Sequence, residues 1–430
     1  MNKKKRIAFQ TLGCKLNFSE TSAISRQFSN GMYKQVPYDE PADIYVINSC
    51  TVTKKADKRC RALIRQAKST NPACRIIVMG CYPQAGASDL MSLPGVSHLL
   101  DNTQKFRLLD YIEGMEKAVV DKTNMAEPGT GIPRFVPAYS LGGRTRSFFK
   151  IQDGCDYNCS YCSIPLARGH SRSDTIAATV KTARKIAETD IKEVVLTGVN
   201  IGDFGKPHGE SFFDLLKELI KIDGLLRIRL SSVEPDLLHD DIIRLVAAEP
   251  KLMPHFHIPL QSGSDAILRS MGRRYDTALF TSRVQAIRKH IPHACIAADL
   301  IVGYPEETDE LFKESLRFIS KTDVSYMHVF NYSEREHTRA IKSQHRVDPS
   351  ERRRRSKMMQ QLSAEKKNLF TEANRGLKTT VLWEKERQGH LLFGFTENYI
   401  KIKTSFDTRK VNAIQAVQLI STDKNGVYTV

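Results

Sequence analysis

The sequence predicts an α/β protein in three parts: an N-terminal open parallel α/β sheet, a central partial (β/α)6 barrel and a small C-terminal antiparallel β-barrel. Three observations lead there. Apolar runs alternate with helical patterns through most of the chain, which argues for parallel sheets. The strand-like runs end in polar, Gly-containing segments. After Leu377 the pattern changes to short alternating runs separated by turn residues. In the first third, Arg6–Gln10, Ile44–Asn48 and Ile76–Met79 read as buried strands, each followed by a helical pattern. A Pro/Gly-rich stretch near 127–143 breaks the periodicity as a linker. Six further strands are predicted to begin near Ser147, Glu193, Arg227, His255, Cys295 and Ser325. In the last part, Thr379–Trp383, His390–Phe395, Tyr399–Lys403, Val411–Leu419 and Val427–Val430 are the strand candidates.

At about 150 residues per domain, 430 residues suggest two to four domains. Lys3, Lys4, Lys5 and Arg6 are not followed by an apolar run of secretory length, and no stretch approaches the roughly 20 apolar residues that span a bilayer. A cytoplasmic protein with no membrane partner is expected. Nine cysteines then point to metal ligands or reactive thiols rather than disulfides. The net charge of +17 favours a polyanionic partner, most simply nucleic acid.

Part of that charge sits between 333 and 380, with thirteen Lys/Arg against six Asp/Glu. The segment reads as a helix with Asp348 as N-cap, Pro349 at the first position, Glu351 completing a capping box and Gly376 just past the end. Arg352, Arg353, Arg354, Arg355 and Lys357 wrap around it. They are candidate phosphate contacts, as are Lys401 and Lys403 in the terminal barrel. A merely solvated face is the plainer reading of such a run.

Cys155, Cys159 and Cys162 stand at C-x3-C-x2-C spacing after a short strand. Three thiolates on one loop can hold three irons of a [4Fe–4S] cluster and leave the fourth open. Zinc would want a fourth nearby Cys or His, and a redox pair leaves Cys155 unexplained. The spacing resembles that of the radical S-adenosylmethionine (SAM) enzymes. Cys14, Cys50 and Cys81 each follow a predicted parallel strand. Carboxyl ends of such strands form the ligand crevice, so these thiols should converge on a second cluster. Cys60, Cys74 and Cys295 read as small buried hydrophobes.

SAM needs acceptors for its ammonium and ribose, plus open backbone. The segments 196–200, 231–235, 257–264 and 299–305 supply both at successive strand ends. Tyr161, Asn200, Ser232, Glu234, Gln261 and Asp299 are the candidate SAM contacts.

Thr11-Leu12-Gly13-Cys14-Lys15-Leu16-Asn17, Asn48-Ser49-Cys50-Thr51-Val52-Thr53, Gly80-Cys81, the Cys155–Cys162 loop, Ile164-Pro165 and Ala167-Arg168-Gly169 together resemble the methylthiotransferase family. The C-terminal part is similar to that family's TRAM domain. The resemblance divides the chain into an N-terminal methylthiotransferase domain (1–126), a linker (127–143), a radical SAM domain (144–345), a basic helix (346–376) and TRAM (377–430). The Leu-Gly-Cys-Lys start and His257-Ile258-Pro259-Leu260-Gln261-Ser262-Gly263-Ser264 look most like the branch that methylthiolates C2 of N6-threonylcarbamoyladenosine (t6A) at position 37, in the tRNA anticodon stem-loop.

The resemblance implies two [4Fe–4S] clusters, with all six cysteines as ligands and in catalytic roles. It also implies SAM as methyl donor and radical source, an electron donor such as flavodoxin or ferredoxin, and a sulfur source. Sister enzymes act on isopentenyl-adenosine in tRNA or on a ribosomal-protein aspartate; an iron–sulfur RNA-binding protein without turnover is the non-enzymatic alternative. Four departures stand out: Glu306 and His337 where the family usually has Gly, Asn331 where it has Pro, and Asp174 at an often basic position.

Overall fold

The computed structural model describes residues 4–29, 31–117, 134–142, 145–423 and 426–429. The chain forms a mixed α/β structure with parallel sheets. It divides into two units, Met1–Ser140 with Phe148–Arg172 and Ser333–Thr338, and Leu141–Ser147 with Ser173–Tyr332 and Arg339–Val430.

The first unit alternates β1 (Lys5–Thr11), α1 (Lys15–Ser25), β2 (Tyr33–Val36), β3 (Ile44–Ser49), α2 (Lys54–Thr70), β4 (Arg75–Gly80), α3 (Cys81–Met91), β5 (Val96–Leu100) and α4 (Leu108–Lys117). Its parallel sheet has the order β2-β1-β3-β4-β5. The central β3 is buried throughout, as an unbroken apolar strand covered on both faces must be. Ala8, Tyr45, Ile47, Ile76 and Val78 pack into one core, while Ile7, Ile44, Val46, Ile77 and Met79 pack into the other. The edge strands β2 and β5 were absent from the sequence reading. Two of the four β2 residues are exposed, and β5 fully buries only Leu100, so neither carries a continuous apolar run.

The predicted linker lies partly outside the described residues, at 127–133. Beyond it, β6 (Ala138–Tyr139) pairs antiparallel with the end of β7 (Arg146–Lys150). Arg26 fixes β6 by donating to the Tyr139 carbonyl at 2.9 Å while lying 4.6 Å from its ring centroid. That portion is therefore structured, contrary to a plain linker. The short β8 (Gln152–Asp153), α5 (Ile164–Arg168) and β9 (Arg172–Ser173) follow.

In the second unit the repeat continues through α6 (Ile176–Ala187), β10 (Glu193–Thr197), α7 (Phe212–Leu219), β11 (Arg227–Leu230), α8 (Asp240–Ala248), β12 (His255–His257), α9 (Asp265–Ser270), α10 (Thr277–His290), β13 (Cys295–Val302), α11 (Asp309–Lys321) and β14 (Tyr326–Asn331). Thr175, Ser211, Asp276 and Thr308 cap their helices by accepting a backbone N–H three residues on. β10 pairs parallel with β11, β12 with β13, and β13 with β14. Single parallel bridges at Ile228–Leu252 and Ser232–His257 join the two sets.

Helix α12 (Pro349–Ala373) starts at Asp348, which accepts the Ser350 N–H at 2.7 Å. Glu351 does not complete the expected capping box; its carboxylate holds Arg354 and Arg355 instead. The arginine run is also corrected. Arg352 is buried, donating to the Val347 and Tyr332 carbonyls, with its stem over Gly303. A Cβ at Gly303 would fall 2.2 Å from the Arg352 Cγ. Arg355 is buried against Glu307 and Asp309 at 2.8 Å each. A three-residue spacing puts both on the face toward the body, leaving Arg353, Arg354 and Lys357 exposed.

The C-terminal strands β15 (Lys378–Gln388), β16 (Leu391–Thr396), β17 (Lys401–Ser405), β18 (Ile414–Gln418), β19 (Ser421–Thr422) and β20 (Tyr428–Thr429) form one sheet in the order β18-β15-β16-β17-β20-β19. It is not wholly antiparallel, because β17 and β20 run parallel. Val381, Trp383, Leu392, Ile402 and Tyr428 make its core. Lys401 remains exposed with its ammonium 4.2 Å from the Phe393 ring centroid, but Lys403 is committed to Asp423.

This sheet is bolted to the parallel strands by two buried arginines. Arg229 holds Glu193 at 2.8 Å and donates to the Glu397 carbonyl at 2.9 Å. Arg227 reaches the Thr380 hydroxyl at 2.6 Å. Phe395 and Tyr399 stack at 4.7 Å, with Arg146 over both rings and Arg229 over Tyr399.

Two stability predictions follow from these pairs. Burial alone would raise the Glu193 carboxyl, but Arg229 overrides it and brings the group from 4.5 to about 2. A lowered carboxylate stabilises the fold above its unfolded pKa, and that contribution is lost as pH falls from about 4.5 toward 2. Glu193→Gln should lose about 3 kcal/mol at neutral pH and flatten the acid limb of thermal unfolding. Arg355→Ala should likewise cost about 3–5 kcal/mol by stranding buried Glu307, whereas Lys357→Glu should leave the melting temperature nearly unchanged.

Candidate functional site

In the first unit, β1, β3 and β4 are neighbours and parallel, so their carboxyl ends lie side by side. Cys14 is the N-cap of α1, Cys50 follows β3, and Cys81 opens α3 after β4. Cys50 lies in the field of both Cys14 and Cys81, and Cys14 in that of Cys81. Burial pushes Cys50 up to about 12, with Cys14 and Cys81 adding to it and Arg168 opposing. Cys50 and Cys81 are buried, and Cys14 is exposed.

Convergence dictates the glycine before Cys14. Gly13 has φ +94°, and a Cβ there would sit 2.5 Å from the Cys50 Cβ and 2.8 Å from its Sγ. Asn17 ties the two loops by donating to the Leu12 and Ser49 carbonyls, both at 2.9 Å. Asn102 donates to the Cys81 sulfur at 3.7 Å and to the Ala167 carbonyl at 2.6 Å.

The donor set is three thiols in a cradle that a side chain at 13 would fill, which fits a cluster. A single zinc with Zn–S of about 2.3 Å would draw its sulfurs to roughly 3.8 Å apart. Among the described residues, no three cysteines have sulfurs all within 4.8 Å of one another. A four-iron cluster, whose ligands bind different irons, asks for the wider spread.

The second trio occupies the loop 155–162 of the same unit, all three thiols half-buried. Gly154 has φ +71°, and a Cβ would come 1.9 Å from the His170 carbonyl oxygen. The Cys155 N–H donates to the Gly169 carbonyl at 3.0 Å, closing the loop onto the end of α5. The N–H groups of Tyr157 and Ile164 point at the sulfurs of Cys155 and Cys162, each at 3.4 Å. Such bonds stabilise thiolate charge and help set a cluster's potential. Tyr161 is half-buried on this loop.

Beneath both trios lies a charged network that the sequence reading missed. Arg168 donates to Asp153 at 2.8 Å, to Asn17 at 2.5 Å and to Glu20 at 3.2 Å. Glu20 also takes Lys105 at 2.5 Å and Lys150 at 2.8 Å. Glu20, Lys105, Lys150, Asp153 and Arg168 are all buried. Burial would raise both carboxyls, but the surrounding cations hold them well below the usual range. The available signal was a run of apolar residues interrupted by Lys150 and Asp153, charges that a buried strand tolerates only when paired.

The predicted strand-end residues of the second unit meet in part. Ser232 Oγ lies 2.8 Å from His257 Nδ1, and His257 Nε2 lies 2.9 Å from Asp299. His328 packs edge-on against His257, so that ligating atoms of His257, Asp299 and His328 fall within 4.8 Å. His257 and His328 had not been chosen as site residues. Gln261 is held beside Asp299 by its backbone, donating to the Asp299 carbonyl at 2.7 Å in the left-handed region (φ +70°). Glu234 is paired with Arg273, and burial pushes its carboxyl up to about 7 against that arginine's pull. Asn200 turns inward to Asp203 at 3.0 Å.

Two family models match the chain: "Uncharacterized protein family UPF0004" over residues 6–101 and "Radical SAM superfamily" over residues 149–319. The threonylcarbamoyladenosine tRNA methylthiotransferase MtaB of Aquifex aeolicus is 37% identical over 402 residues, covering 93% of this chain and 96% of that protein. Its namesake in Bacillus subtilis is 34% identical over 405 residues, covering 92% and 89%. The tRNA-2-methylthio-N(6)-dimethylallyladenosine synthase of Bartonella tribocorum is 30% identical over 400 residues, covering 89% and 86%. Among solved structures, the radical SAM methyltransferase TsrM from Kitasatospora setae superposes with a TM-score of 0.57 at 13% identity, covering 79% of this chain and 74% of that one; this likeness concerns the fold.

A direct check of the first trio is iron content after anaerobic reconstitution. Cys50→Ala should lose about four of about eight irons, while Cys60→Ala, buried in the core between α2 and the sheet, should keep them all.

Proposed function

The chain belongs to the MtaB branch of the methylthiotransferase family, radical SAM enzymes that methylthiolate t6A in tRNA with iron–sulfur clusters and SAM, and we propose that its target is C2 of t6A at position 37. Similarity to proteins of that name across more than nine-tenths of the chain is the observation that carries this reading. Cys155, Cys159 and Cys162 would hold the SAM-binding cluster, and Cys14, Cys50 and Cys81 the auxiliary one. When bound, these clusters and SAM supply an electron, a carbon radical, a sulfur atom and a methyl group.

The chain's own residues bind and orient. The Tyr157 and Ile164 N–H groups stabilise the thiolates of their loop. Ser232, Gln261, Asp299 and Tyr161 are assigned to SAM, with His257 holding Ser232 and Asp299 in register. Asn200 and Glu234 are assigned there less directly, since each already has a protein partner. The C2–H of adenine is not acidic, which is why no buried base need be sought for it.

Five parallel strands of the second unit, β10 to β14, in sequential repeat with helices support an incomplete barrel open at one side, and the terminal sheet supports a TRAM domain. We propose the domain limits given above, with β6 inside the linker segment. Arg353, Arg354, Lys357 and Lys401 are the exposed cations fit to hold anticodon-stem phosphates, contacts that position the RNA without reading its sequence. No described helix is long and apolar enough to cross a membrane. A cytoplasmic setting, a flavodoxin or ferredoxin as electron donor and a separate sulfur source complete the proposal.

Nucleoside mass spectrometry on tRNA from a strain lacking the gene tests it. Loss of 2-methylthio-t6A, restored by complementation, is expected. Intact 2-methylthio-t6A with loss of the isopentenyl form would move the substrate, and no change in any tRNA nucleoside would overturn tRNA as substrate.

A further inference from the structure

The charged network under the cysteine trios is not balanced. Among the described residues, its ion-paired members are four cations, Lys105, Lys150, Arg168 and Arg172, and two carboxylates, Glu20 and Asp153. Two positive charges are in excess, and all but Arg172 belong to fully buried residues. A buried ion without a counterpart is destabilising by several kcal/mol. Ionisable groups that could supply the missing negative charge are close by: Arg168 lies in the field of Cys14 and Cys81, and Glu20 in that of Cys14. Cysteines that ligate iron do so as thiolates, so a bound cluster, whose three thiolates outweigh the charge of its oxidised core, would bring net negative charge to these cations.

Arg168 is also placed to serve both trios. It ends the helix that begins two residues after Cys162, and its partner Asp153 accepts the Gly154 N–H at 2.9 Å, one residue before Cys155. Through Asn17 it grips the first turn of α1, which Cys14 caps. One guanidinium thereby braces the SAM-cluster loop and faces the strand-end cysteines.

We propose that Arg168 is a positioning residue for the auxiliary cluster: its buried cation, graded by Glu20, neutralises the thiolate-bound cluster of Cys14, Cys50 and Cys81 and raises that cluster's reduction potential. The inference rests on the assignment of a cluster to those three cysteines. A cation beside a cluster favours the reduced form, which carries one more negative charge, and an anion disfavours it.

The test uses the full chain with Cys155, Cys159 and Cys162 all replaced by Ala, reconstituted anaerobically so that only the auxiliary cluster remains. An EPR-monitored redox titration then compares Arg168→Gln, Arg168→Lys and Glu20→Gln in that background. Arg168→Gln should move the potential negative by at least the equivalent of a tenfold change in the reduction equilibrium, about 59 mV for one electron. Arg168→Lys should restore most of it, and Glu20→Gln should move it the other way.

Opposite signs are the signature, because a merely structural role would loosen the site in both variants without reversing the shift. If Arg168→Gln folds by circular dichroism but loses its iron, recovery of iron in Arg168→Lys supports the same conclusion. Potentials unchanged in all three, or shifted in the same direction by Arg168→Gln and Glu20→Gln, overturn the proposal while leaving the cluster in place. A parent that holds no iron, or holds as much after Cys50→Ala, overturns the cluster assignment itself, and the proposal falls with it.

Discussion

Charges taken out of water must find partners, and in the cysteine-bearing unit five buried ionic side chains find them in one another. Glu20 is the hub. It receives Lys105, Lys150 and Arg168, which lie 85, 130 and 148 residues away in sequence. The strand that leads to the Cys155–Cys162 loop, the helix that leaves it and the helix capped by Cys14 are held to a common point. Local propensity cannot make these contacts. They wait on long-range closure, so the unit's two cysteine loops acquire their final geometry only with the tertiary fold.

Legibility in the sequence followed burial. β1, β3 and β4, with their terminal cysteines, were visible because each carries a buried apolar run at its centre. All five parallel strands from β10 to β14 began within a residue of their predicted starts. The edge strands β2 and β5, half exposed, left no comparable trace. Charge misled in the opposite direction. Four arginines in a row looked like one RNA-facing surface, yet helical geometry turned Arg352 and Arg355 into the protein and left Arg353 and Arg354 outside. Whether a given cation meets a carboxylate or water depends on contacts remote in sequence. The site was legible where chemistry needs a fixed spacing, as in the cysteines, and illegible where it needs only proximity, as with Glu20 and Arg168.

The departures at Glu306 and His337 acquire a physical meaning. Both adopt the left-handed backbone, with φ +71° and +64°, where glycine is at ease and other residues bear roughly 1–2 kcal/mol of strain. Glu306 offsets part of it by accepting from the Ser270 hydroxyl at 3.1 Å and donating its N–H to the His345 carbonyl at 2.9 Å. Gln261 is held in the same backbone region between two bonds to β13, with Asp299 and Ile301. Its strain sits at a strand end beside Asp299 and His257, and there it fixes a direction rather than marking a fault. At Asp174 the carboxylate accepts the Thr175 N–H at 3.0 Å, a local turn role.

The arginines that fasten the terminal sheet bear on how such a chain can evolve. Arg227 and Arg229 stand on a parallel strand, but their guanidinium groups finish on Thr380, Phe395 and Glu397. Because several of these partners are main-chain carbonyls, the sheet's residues can drift freely while its backbone path cannot. Recombination that exchanged it for an unrelated module would leave two buried cations with Glu193 alone to answer them. The last 54 residues are thus inherited with the body of the enzyme rather than carried as an interchangeable appendage.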